Sequence, residues 1–318
     1  MPILNTSLKI FNYPDKIRSL PASEAVLPPV HVRIKPTNVC NHDCWFCAYR
    51  QDDFQLGETM VERDQIPLDR MMEIVDDLID MGVQAATFSG GGEPFVYPHL
   101  LKTVRRLAEH GIAFASLTNG SRLSGALAEV FAEHGTWVRV SLDGWDGPSY
   151  ARFRSVKETE FAKVLANMEA FKKLGGRCVL STVIVVGHDN GPHVHELVSR
   201  LAPLGLDSIK ISPVIVSNDG AENQAYHARH YELVKDQVAR AIADFGRTTE
   251  ISDAFDNQLH TFAKPYGWCP MLQVRPVIDP EVWRAVSLVT VAGRRFSPAV
   301  STFVRSVKSF AWPASALQ

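Results

Sequence analysis

The sequence predicts an α/β fold in which parallel strands alternate with helices, and two features of its pattern support this. Short β-branched, apolar runs recur between about residues 28 and 246, separated by amphipathic segments of helical length. Several of these runs are almost continuously apolar, as is typical of parallel strands covered on both faces. Such alternation builds βαβ units with right-handed crossovers. The pattern therefore predicts six β/α units, arranged as a partial β/α barrel or as a doubly wound sheet.

The elements follow one another in a regular order. The six predicted strands are 30–35 (VHVRIK), 84–89 (QAATFS), 112–118 (IAFASLT), 137–142 (WVRVSL), 177–186 (RCVLSTVIVV) and 207–212 (DSIKIS). Glycines follow the helix-like segments, where a residue with positive φ is expected and glycine adopts it without steric cost. These glycines are Gly82, Gly111, Gly135, Gly175, Gly205 and Gly246. In either architecture, the chemistry is expected at the C-terminal ends of the strands.

The composition excludes several classes of protein. A chain of 318 residues suggests about two domains at roughly 150 residues each. Hydrophobic residues at 46% and charged residues at 21% exclude a disordered chain, a collagen-like chain and a coiled coil. The net charge of −2 gives no electrostatic reason to expect nucleic acid or an anionic membrane as partner. With no long apolar run and no evident secretory signal, we expect a cytoplasmic protein.

The chain divides into three parts by pattern. Residues 1–27 form a short lead that contains prolines, 28–247 carry the β/α pattern, and 248–318 differ from both. The last 38 residues contain five basic residues and one acidic residue, and no helical or strand period runs through them. Two interpretations of this tail remain open: a truncated or out-of-frame terminus, or a segment that packs on the core.

The strongest chemical signal is a cluster of cysteines directly after the first predicted strand. Cys40, Cys44 and Cys47 form a C-x3-C-x2-C run. Three thiolates this close can hold three corners of one iron–sulfur cube and leave the fourth iron open to a ligand. The alternatives are a zinc site with a distant fourth ligand, or three unrelated thiols. Zinc sites usually add a second pair of cysteines or histidines at short spacing, which is absent here, and His42 fits loop geometry more than ligation.

Three further motifs lie at predicted strand ends. The second strand leads into Ser89-Gly-Gly-Gly-Glu-Pro94, the third ends in Thr118-Asn-Gly120, and the fourth ends in Ser141-Leu-Asp-Gly144. Glycines let backbone carbonyls approach a ligand closely, and a carboxylate can pair with an ammonium group. These motifs therefore predict a ligand site beside the cysteine run.

Taken in this order, the four motifs resemble the radical S-adenosylmethionine (SAM) superfamily over about residues 28–246. The resemblance implies a partial (β/α)6, TIM-like barrel with a 4Fe-4S cluster on Cys40, Cys44 and Cys47, and with SAM bound at the open iron. It also implies an enzyme in which reductive cleavage of SAM yields a 5′-deoxyadenosyl radical that abstracts hydrogen from a substrate. A flavodoxin- or ferredoxin-type electron donor is implied as a partner.

The resemblance also implies a set of SAM contacts. Phe46 and the apolar end of the fifth strand are expected near the adenine, and the glycine loop holds the amino group. Ser141 reaches SAM, and Arg154 pairs with its carboxylate, with Arg152 as the competing assignment. The full set of expected SAM-binding residues is Phe46, Gly90, Gly91, Gly92, Glu93, Asn119, Ser141, Arg154 and Val185.

The region after the core resembles the beginning of a SPASM or twitch extension, which carries auxiliary clusters in relatives. Trp268-Cys269-Pro270 matches that opening, but no cysteine follows it. Cys178 lies in an apolar strand and is interpreted as a small buried hydrophobe. A complete auxiliary cluster is therefore not expected within one chain. Cys269 is interpreted as an orphan of a lost site, a substrate-facing thiol or a core residue.

The segments before and after the predicted core indicate which substrate classes are favoured. About 27 residues precede it, which disfavours a leader-peptide recognition domain and favours a small sugar- or nucleoside-like substrate. GTP cyclisation is disfavoured because the tail ends Ser-Ala-Leu-Gln without the Gly-Gly of that family. The alternatives are a peptide-modifying SPASM enzyme and a truncated cluster-binding protein without turnover. A plain electron-transfer protein would not need the glycine-rich loop.

Overall fold

The computed structural model describes residues 28–50 and 60–261. The chain divides into two compact units, Met1–Phe262 and Ala263–Gln318, and all described residues belong to the first. The predicted lead over residues 1–27, Cys269 and the C-terminal tail lie outside the described residues. No helix in the described ranges has both the length and the apolar character that crossing a membrane requires.

The described chain runs from β1 to α9, with one or two α-helices between successive strands. The strands are β1 His31–Ile34, β2 Ala85–Phe88, β3 Ala113–Thr118, β4 Trp137–Ser141, β5 Val179–Val186, β6 Ser208–Pro213 and β7 Glu250–Asp253. The α-helices are α1 Leu68–Asp80, α2 Leu100–Glu109, α3 Gly125–His134, α4 Gly147–Arg154, α5 Thr159–Lys173, α6 Val194–Leu201, α7 Gly220–Ala228, α8 Tyr231–Phe245 and α9 Ala254–Thr261. Short 3₁₀ turns occupy Pro94–Val96, Gly191–His193 and Ala202–Leu204.

The strands form one parallel sheet whose spatial order is the chain order. Each strand from β1 to β7 pairs in parallel with the next. A doubly wound sheet would reverse its strand order partway, so this topology excludes that alternative. Within the described residues β1 and β7 do not pair, and the sheet stays open. The predicted partial β/α barrel is therefore confirmed.

One face of the sheet forms the hydrophobic core against the helices. Alternate residues of a strand point to opposite faces, so every second side chain meets the helical layer. Those that do so are fully buried, as in Val138 and Val140 of β4, Leu180 and Ile184 of β5, and Ile211 of β6. Full burial of each such side chain contributes about 1.5–3 kcal/mol. We call this apolar side the outer face and the opposite side the inner face.

The seventh strand was not predicted from the sequence. Segment Glu250–Asp253 reads EISD, and its short length and two acidic residues hide the strand pattern. Its register on β6, with Ile251 opposite Ile209, makes it the edge of the sheet. The β/α pattern therefore continues beyond residue 247 through α9, and the change of composition after Gly246 is not the end of the sheet.

The predicted conformation is right for four of the helix-terminal glycines and wrong for two. Gly82, Gly111, Gly175 and Gly205 have positive φ. Gly135 and Gly246 each have φ of −64°. At these two positions glycine is needed for space, because a Cβ would lie 2.6 Å from the Phe131 carbonyl oxygen and 2.5 Å from that of Ile242, respectively.

Candidate functional site

The cysteine loop leaves the C-terminal end of β1 and lies at the edge where all the parallel strands end. The three cysteines are free thiols and are partly buried. The Cys47 N–H donates to the Cys44 carbonyl at 3.0 Å, so the second half of the run is a tight turn. We use "cysteine loop" for residues 36–50 from here on.

The glycine-rich motif packs directly on the cysteine loop. The Gly92 N–H donates to the Thr37 carbonyl at 2.7 Å, and the Glu93 N–H donates to the Val39 carbonyl at 2.9 Å. A Cβ at Gly92 would lie 2.0 Å from the Val39 carbonyl oxygen, and one at Gly91 would lie 2.5 Å from Asn38 Oδ1. These glycines are therefore required by the approach of the cysteine loop itself, a reason that the sequence did not reveal.

The C-terminal end of α4 supports the cysteine loop from the other side. The Asp43 N–H donates to the Arg154 carbonyl at 3.0 Å, and the Trp45 N–H donates to the Phe153 carbonyl at 3.3 Å. These amides flank Cys44 on both sides. The last carbonyls of a helix lack partners within the helix, so they are available for such bonds. The backbone around the central cysteine is thus fixed by α4.

Glu93 is a buried carboxylate that joins the ends of β2 and β3. It is 4% exposed. Its Oε1 accepts from the Phe95 N–H and, at 2.6 Å, from the Thr118 hydroxyl, while Oε2 accepts from the Asn119 N–H at 2.6 Å. Burial raises the pKa of Glu93, and these hydrogen bonds oppose that shift. Its geometry indicates a supporting role for the glycine loop, and its predicted pairing with an ammonium group stays a prediction.

Asn119 links the end of β3 to the cysteine loop. Its Nδ2 donates to Asn41 Oδ1 at 2.9 Å, and its Oδ1 accepts from the Ser121 hydroxyl at 2.7 Å. The ring closes because Asn41 Nδ2 donates to Ser121 Oγ at 2.8 Å. Sequence reasoning did not identify Asn41, although it lies within the cysteine run. The three side chains form a closed polar bridge between two loops.

Arg154 lies at the centre of the site and is 2% exposed. Its Nη2 donates to Ser141 Oγ at 2.8 Å and also to the Asp143 carboxylate. Arg152, the competing assignment, is exposed. The structure therefore brings Arg154, and not Arg152, to Ser141.

Asp143 connects this arginine to β5 and was missed as a functional residue. Its Oδ1 accepts from the Val185 N–H at 2.7 Å. Asn190 Nδ2 donates to the carbonyls of Asp143 at 3.0 Å and of Val185 at 2.9 Å. The signal for Asp143 was present in the sequence, since it is the third residue of the SLDG motif. Ser141, Arg154 and Val185 are thus held together by two residues that had no predicted role.

Aromatic rings surround the buried guanidinium. Arg154 Cζ lies 5.6 Å from the centroid of Phe46 and 5.4 Å from that of Tyr150, distances typical of cation–π contacts. His42 is 3% exposed and meets Tyr150 edge-on at 6.0 Å. Burial, followed by the charges of Arg154 and Lys163, lowers the pKa of His42 to about 3, so its ring is neutral at pH 7.

Burial keeps the Cys40 and Cys44 thiols in their neutral form when no metal ion is bound. Burial raises the pKa of the Cys44 thiol to about 12 and also raises that of Cys40. Thiols in such surroundings become thiolates when a metal ion supplies positive charge. Arg154 Nε and both His42 ring nitrogens are buried without a hydrogen-bond partner in the described part of the chain. The site therefore contains unsatisfied polar groups of the kind that a ligand would engage.

A single metal ion does not account for this arrangement. Among the described residues, no three His, Cys, Asp or Glu side chains converge closely enough to hold one ion. In an iron–sulfur cube each thiolate binds a different iron, so the three sulfurs need not converge on one point. The donor set of Cys40, Cys44 and Cys47 thus fits three corners of a cube.

Comparison with known families gives one match to a family model. Residues 34–201 match the model described as "Radical SAM superfamily". This range runs from the end of β1 through α6 and includes the cysteine loop, the glycine loop, Ser141, Arg154 and Val185.

Curated relatives share moderate identity with part of the chain. A "GTP 3′,8-cyclase" of Ectopseudomonas mendocina is 30% identical over 181 residues, which cover 56% of this chain and 52% of the relative. An "S-adenosylmethionine-dependent nucleotide dehydratase" of Flammeovirga pacifica is 23% identical over 206 residues, 64% of this chain and 69% of the relative. The chain spans about half the length of the first curated relatives it matches, at 52%, 49% and 55%.

Solved structures share the fold at low sequence identity. Streptococcus suis SuiB bound to S-adenosylmethionine superposes with a TM-score of 0.53 at 19% identity, covering 79% of this chain and 54% of SuiB. The structure of anSMEcpe with bound AdoMet gives a TM-score of 0.55 at 18% identity, covering 70% of this chain and 61% of that protein. At this identity the likeness establishes the architecture.

Proposed function

Because the chain belongs to the radical SAM superfamily of enzymes, whose cofactors are a 4Fe-4S cluster and SAM, we propose that it cleaves SAM reductively to start radical chemistry on a nucleoside-like small molecule. The observation that carries this proposal is the joining of three motifs at one strand edge. The glycine loop and the end of α4 both hold the cysteine loop through backbone hydrogen bonds. Segments that are far apart in the sequence therefore contact the loop that carries the three thiols.

In this proposal Cys40, Cys44 and Cys47 hold the cluster. When bound, the cluster and SAM supply a 5′-deoxyadenosyl radical through one-electron cleavage of the sulfonium. The chain's part is to fix the thiols, to exclude water and to orient the substrate. Burial raises the pKa of Cys44, so binding of the cluster releases the proton of this thiol.

Arg154 is proposed to hold the carboxylate of SAM through Nε. That nitrogen is buried and has no partner in the described residues, whereas Nη2 is engaged by Ser141 and Asp143. Arginine is well suited to this task because its planar fork matches a carboxylate. Burial alone would lower the pKa of Arg154, but the Asp143 carboxylate holds it above its usual value, so the charge persists.

The remaining SAM contacts follow from the same arrangement. Phe46 is proposed to pack near the adenine with Val185, which is half-buried on the inner face. Gly90, Gly91 and Gly92 are proposed to present backbone carbonyls to the amino group, with Glu93 and Asn119 fixing the loop. The hydrogen bonds of Glu93 and Asn119 to neighbouring loops are consistent with this role in fixing the loop.

A nucleotide or nucleoside is the proposed substrate class. The names of two groups of relatives state that they act on nucleotides, one as GTP cyclase and one as nucleotide dehydratase. The chain spans about half the length of the cyclase relative, so the cyclase reaction is not assigned to it. A flavodoxin- or ferredoxin-type protein is the proposed electron donor.

Anaerobic reconstitution with iron and sulfide tests this proposal. We expect about four irons per chain for one cube. Incubation with SAM and dithionite should then yield 5′-deoxyadenosine, detected by chromatography. The Cys44→Ala variant should lose both iron and product. The matched control is Cys178→Ala, which removes a buried thiol outside the cysteine loop and should keep both.

Three outcomes would count against the proposal. A cluster that binds without any SAM cleavage would favour the cluster-binding protein without turnover. Zinc in place of iron, or equal product from wild type and Cys44→Ala, would contradict the assignment of the cysteines.

A further inference from the structure

From β1 to β6 the inner face of the sheet carries charge of one sign. Strands β1 to β6 contain three charged residues, Arg33, Arg139 and Lys210, and all are basic. Strand registers place them on one face. Arg33 of β1 pairs with Thr87 of β2. Arg139 pairs with Ser181 of β5. Val183 lies two residues after Ser181, on the same face, and pairs with Lys210. The residues between them, such as Ile34 and Ile211, lie in the hydrophobic core on the outer face.

Arg139 and Lys210 lie close to the proposed SAM site. Ser141 pairs with Val183 and Val183 pairs with Lys210, so Ser141 and Lys210 belong to one row across three strands. Two interstrand spacings of about 4.8 Å separate β4 from β6, or roughly 10 Å. Arg139 is two residues before Ser141, on the row below. A ligand that contacts both basic side chains therefore lies against the inner face and reaches the row below Ser141.

The side chain of Arg139 is held in place. Its Nε donates to Ser181 Oγ at 3.3 Å, and its Cζ lies 5.4 Å from the Trp137 ring centroid. Burial lowers the pKa of this guanidinium, which indicates that the positive charge is partly desolvated. A fixed, partly desolvated arginine suits an anionic ligand because little reorganisation is needed on binding.

Buried hydroxyls on the same face lack partners. Ser89 and Ser212 are 4% and 8% exposed, and neither Oγ has a hydrogen-bond partner among the described residues. Ser212 lies two residues after Lys210 on β6, and Ser89 follows β2 two residues after Thr87, so both share the inner face. Buried polar groups usually have a partner, so these two point to a polar ligand.

Further basic and acidic groups lie at the two sides of this face. Lys35 follows β1 beside the glycine loop, with its Nζ 4.6 Å from the Tyr49 ring centroid. Acidic residues enter the sheet at β7, where Glu250 pairs with Ser208 and Asp253 caps α9. The middle of the inner face, from β1 to β6, thus combines positive charge with hydroxyl groups.

We propose that Arg139 and Lys210, with Ser212 and Ser89, form the subsite for the phosphate groups of a phosphorylated substrate. This rests on the proposed function and deepens it: the substrate is a phosphate ester, with a nucleotide favoured over a sugar phosphate because relatives act on nucleotides. The phosphates lie against the basic rows, and the sugar points to the strand ends, where SAM is proposed to bind.

Binding to the reconstituted chain of 318 residues tests this subsite. The probes are the four ribonucleoside triphosphates, the four nucleosides, inorganic triphosphate and glucose 6-phosphate, measured by anaerobic calorimetry. We expect a triphosphate to bind at least tenfold more tightly than its nucleoside, and this preference to fall as salt rises. Tight binding of glucose 6-phosphate, with nucleotides weak, would keep the subsite and identify a sugar phosphate as its ligand.

Three variants and a matched control assign the subsite. Arg139→Gln and Lys210→Gln should each weaken triphosphate binding about tenfold or more, with nucleoside binding unchanged. Arg139→Lys should recover part of the loss. Lys173→Gln removes an exposed basic residue at the end of α5 that pairs with Glu169, and it should leave binding unchanged. Thermal unfolding of each variant shows whether the fold is intact.

Equal binding of nucleoside and triphosphate, or full affinity in both variants, would overturn the subsite. Formation of 5′-deoxyadenosine without substrate, measured on the same samples, separates this result from the proposed function. Variants that lose phosphate binding and still cleave SAM would support the subsite alone. Wild-type protein that cleaves no SAM would contradict the proposed function, while the phosphate measurements would still decide the subsite.

Discussion

The two faces of the sheet differ in chemistry although they belong to the same strands. The outer face consists mainly of apolar side chains that are fully buried under the helices, such as Val140 and Ile184. The inner face carries Arg33, Arg139 and Lys210, together with serines. A strand alternates its side chains with a period of two, so stability and function can be encoded in the same short segment. Mutations on adjacent residues should therefore have different consequences.

Among the substitutions considered, replacement of Arg154 at the centre of the site should have the largest effect on stability. Its side chain is 3% exposed, and that of Asp143 is fully buried. Arg154→Met leaves the Asp143 carboxylate without its counter-charge, and removing one partner of a buried pair costs about 3–5 kcal/mol. The free energy of unfolding in urea measures this.

The neighbouring exposed Arg152→Met is the matched control for Arg154. Since a surface substitution typically changes stability by less than about 0.5 kcal/mol, this variant should be close to wild type. A similar loss in both variants would show that the buried pair does not stabilise the site.

A pair of adjacent residues on β5 sharpens the comparison between the faces. Ile184 is fully buried on the outer face, and Val183 is half-buried on the inner face. Ile184→Ala should cost about 2–5 kcal/mol of unfolding free energy. Val183→Ala should cost about 1 kcal/mol or less, because part of its surface is already exposed.

SAM affinity should show the opposite order for these two variants. Val183→Ala should weaken SAM binding more than Ile184→Ala does, because Val183 pairs with Ser141, a proposed SAM contact, on the inner face. Calorimetry at a temperature where both proteins are folded measures this. Comparable unfolding free energies for the two variants would break the distinction between the faces.

The smallest expected effect is a pH dependence from His227. This residue is 2% exposed, and its Nε2–H donates to the Val214 carbonyl at 2.8 Å. Burial lowers its pKa in the folded state. The unfolded chain therefore binds a proton first as pH falls below about 6.5, so stability is present above that pH and is lost toward the lower folded pKa.

The variant His227→Gln should remove this part of the acid sensitivity. Unfolding free energies measured from pH 8 to pH 5 should fall less steeply in His227→Gln than in wild type. His134→Gln, at a more exposed histidine, serves as the control. Identical slopes for His227→Gln and wild type would exclude His227 as the cause.

The sequence predicted the strands β1 to β6 and the position of the cysteine loop, because both depend on local patterns. Apolar runs identify the strands, and the spacing of three cysteines identifies the loop. The seventh strand was missed because Glu250 and Asp253 interrupt its apolar character, and its pairing with β6 depends on the whole fold.

The support of the site depends on contacts that no local pattern contains. The bond from Arg154 to Asp143 and the bridge from Asn41 to Asn119 join residues 11 and 78 positions apart, respectively. The glycine residues of Ser89-Gly-Gly-Gly-Glu-Pro94 indicate a close approach to another group. That group, the Val39 carbonyl, is identified by the structure and not by the sequence. The basic inner face likewise emerges once the strand registers are known.

The central claim is that the three thiols at the strand edge hold a cluster with one iron open to SAM. Electron paramagnetic resonance of the dithionite-reduced, reconstituted protein, recorded with and without SAM, tests it most directly. We expect a reduced-cluster signal in wild type that changes shape when SAM is added, and no such signal in Cys44→Ala. A signal that is identical with and without SAM would contradict an open iron, and one that survives in Cys44→Ala would contradict ligation by this cysteine.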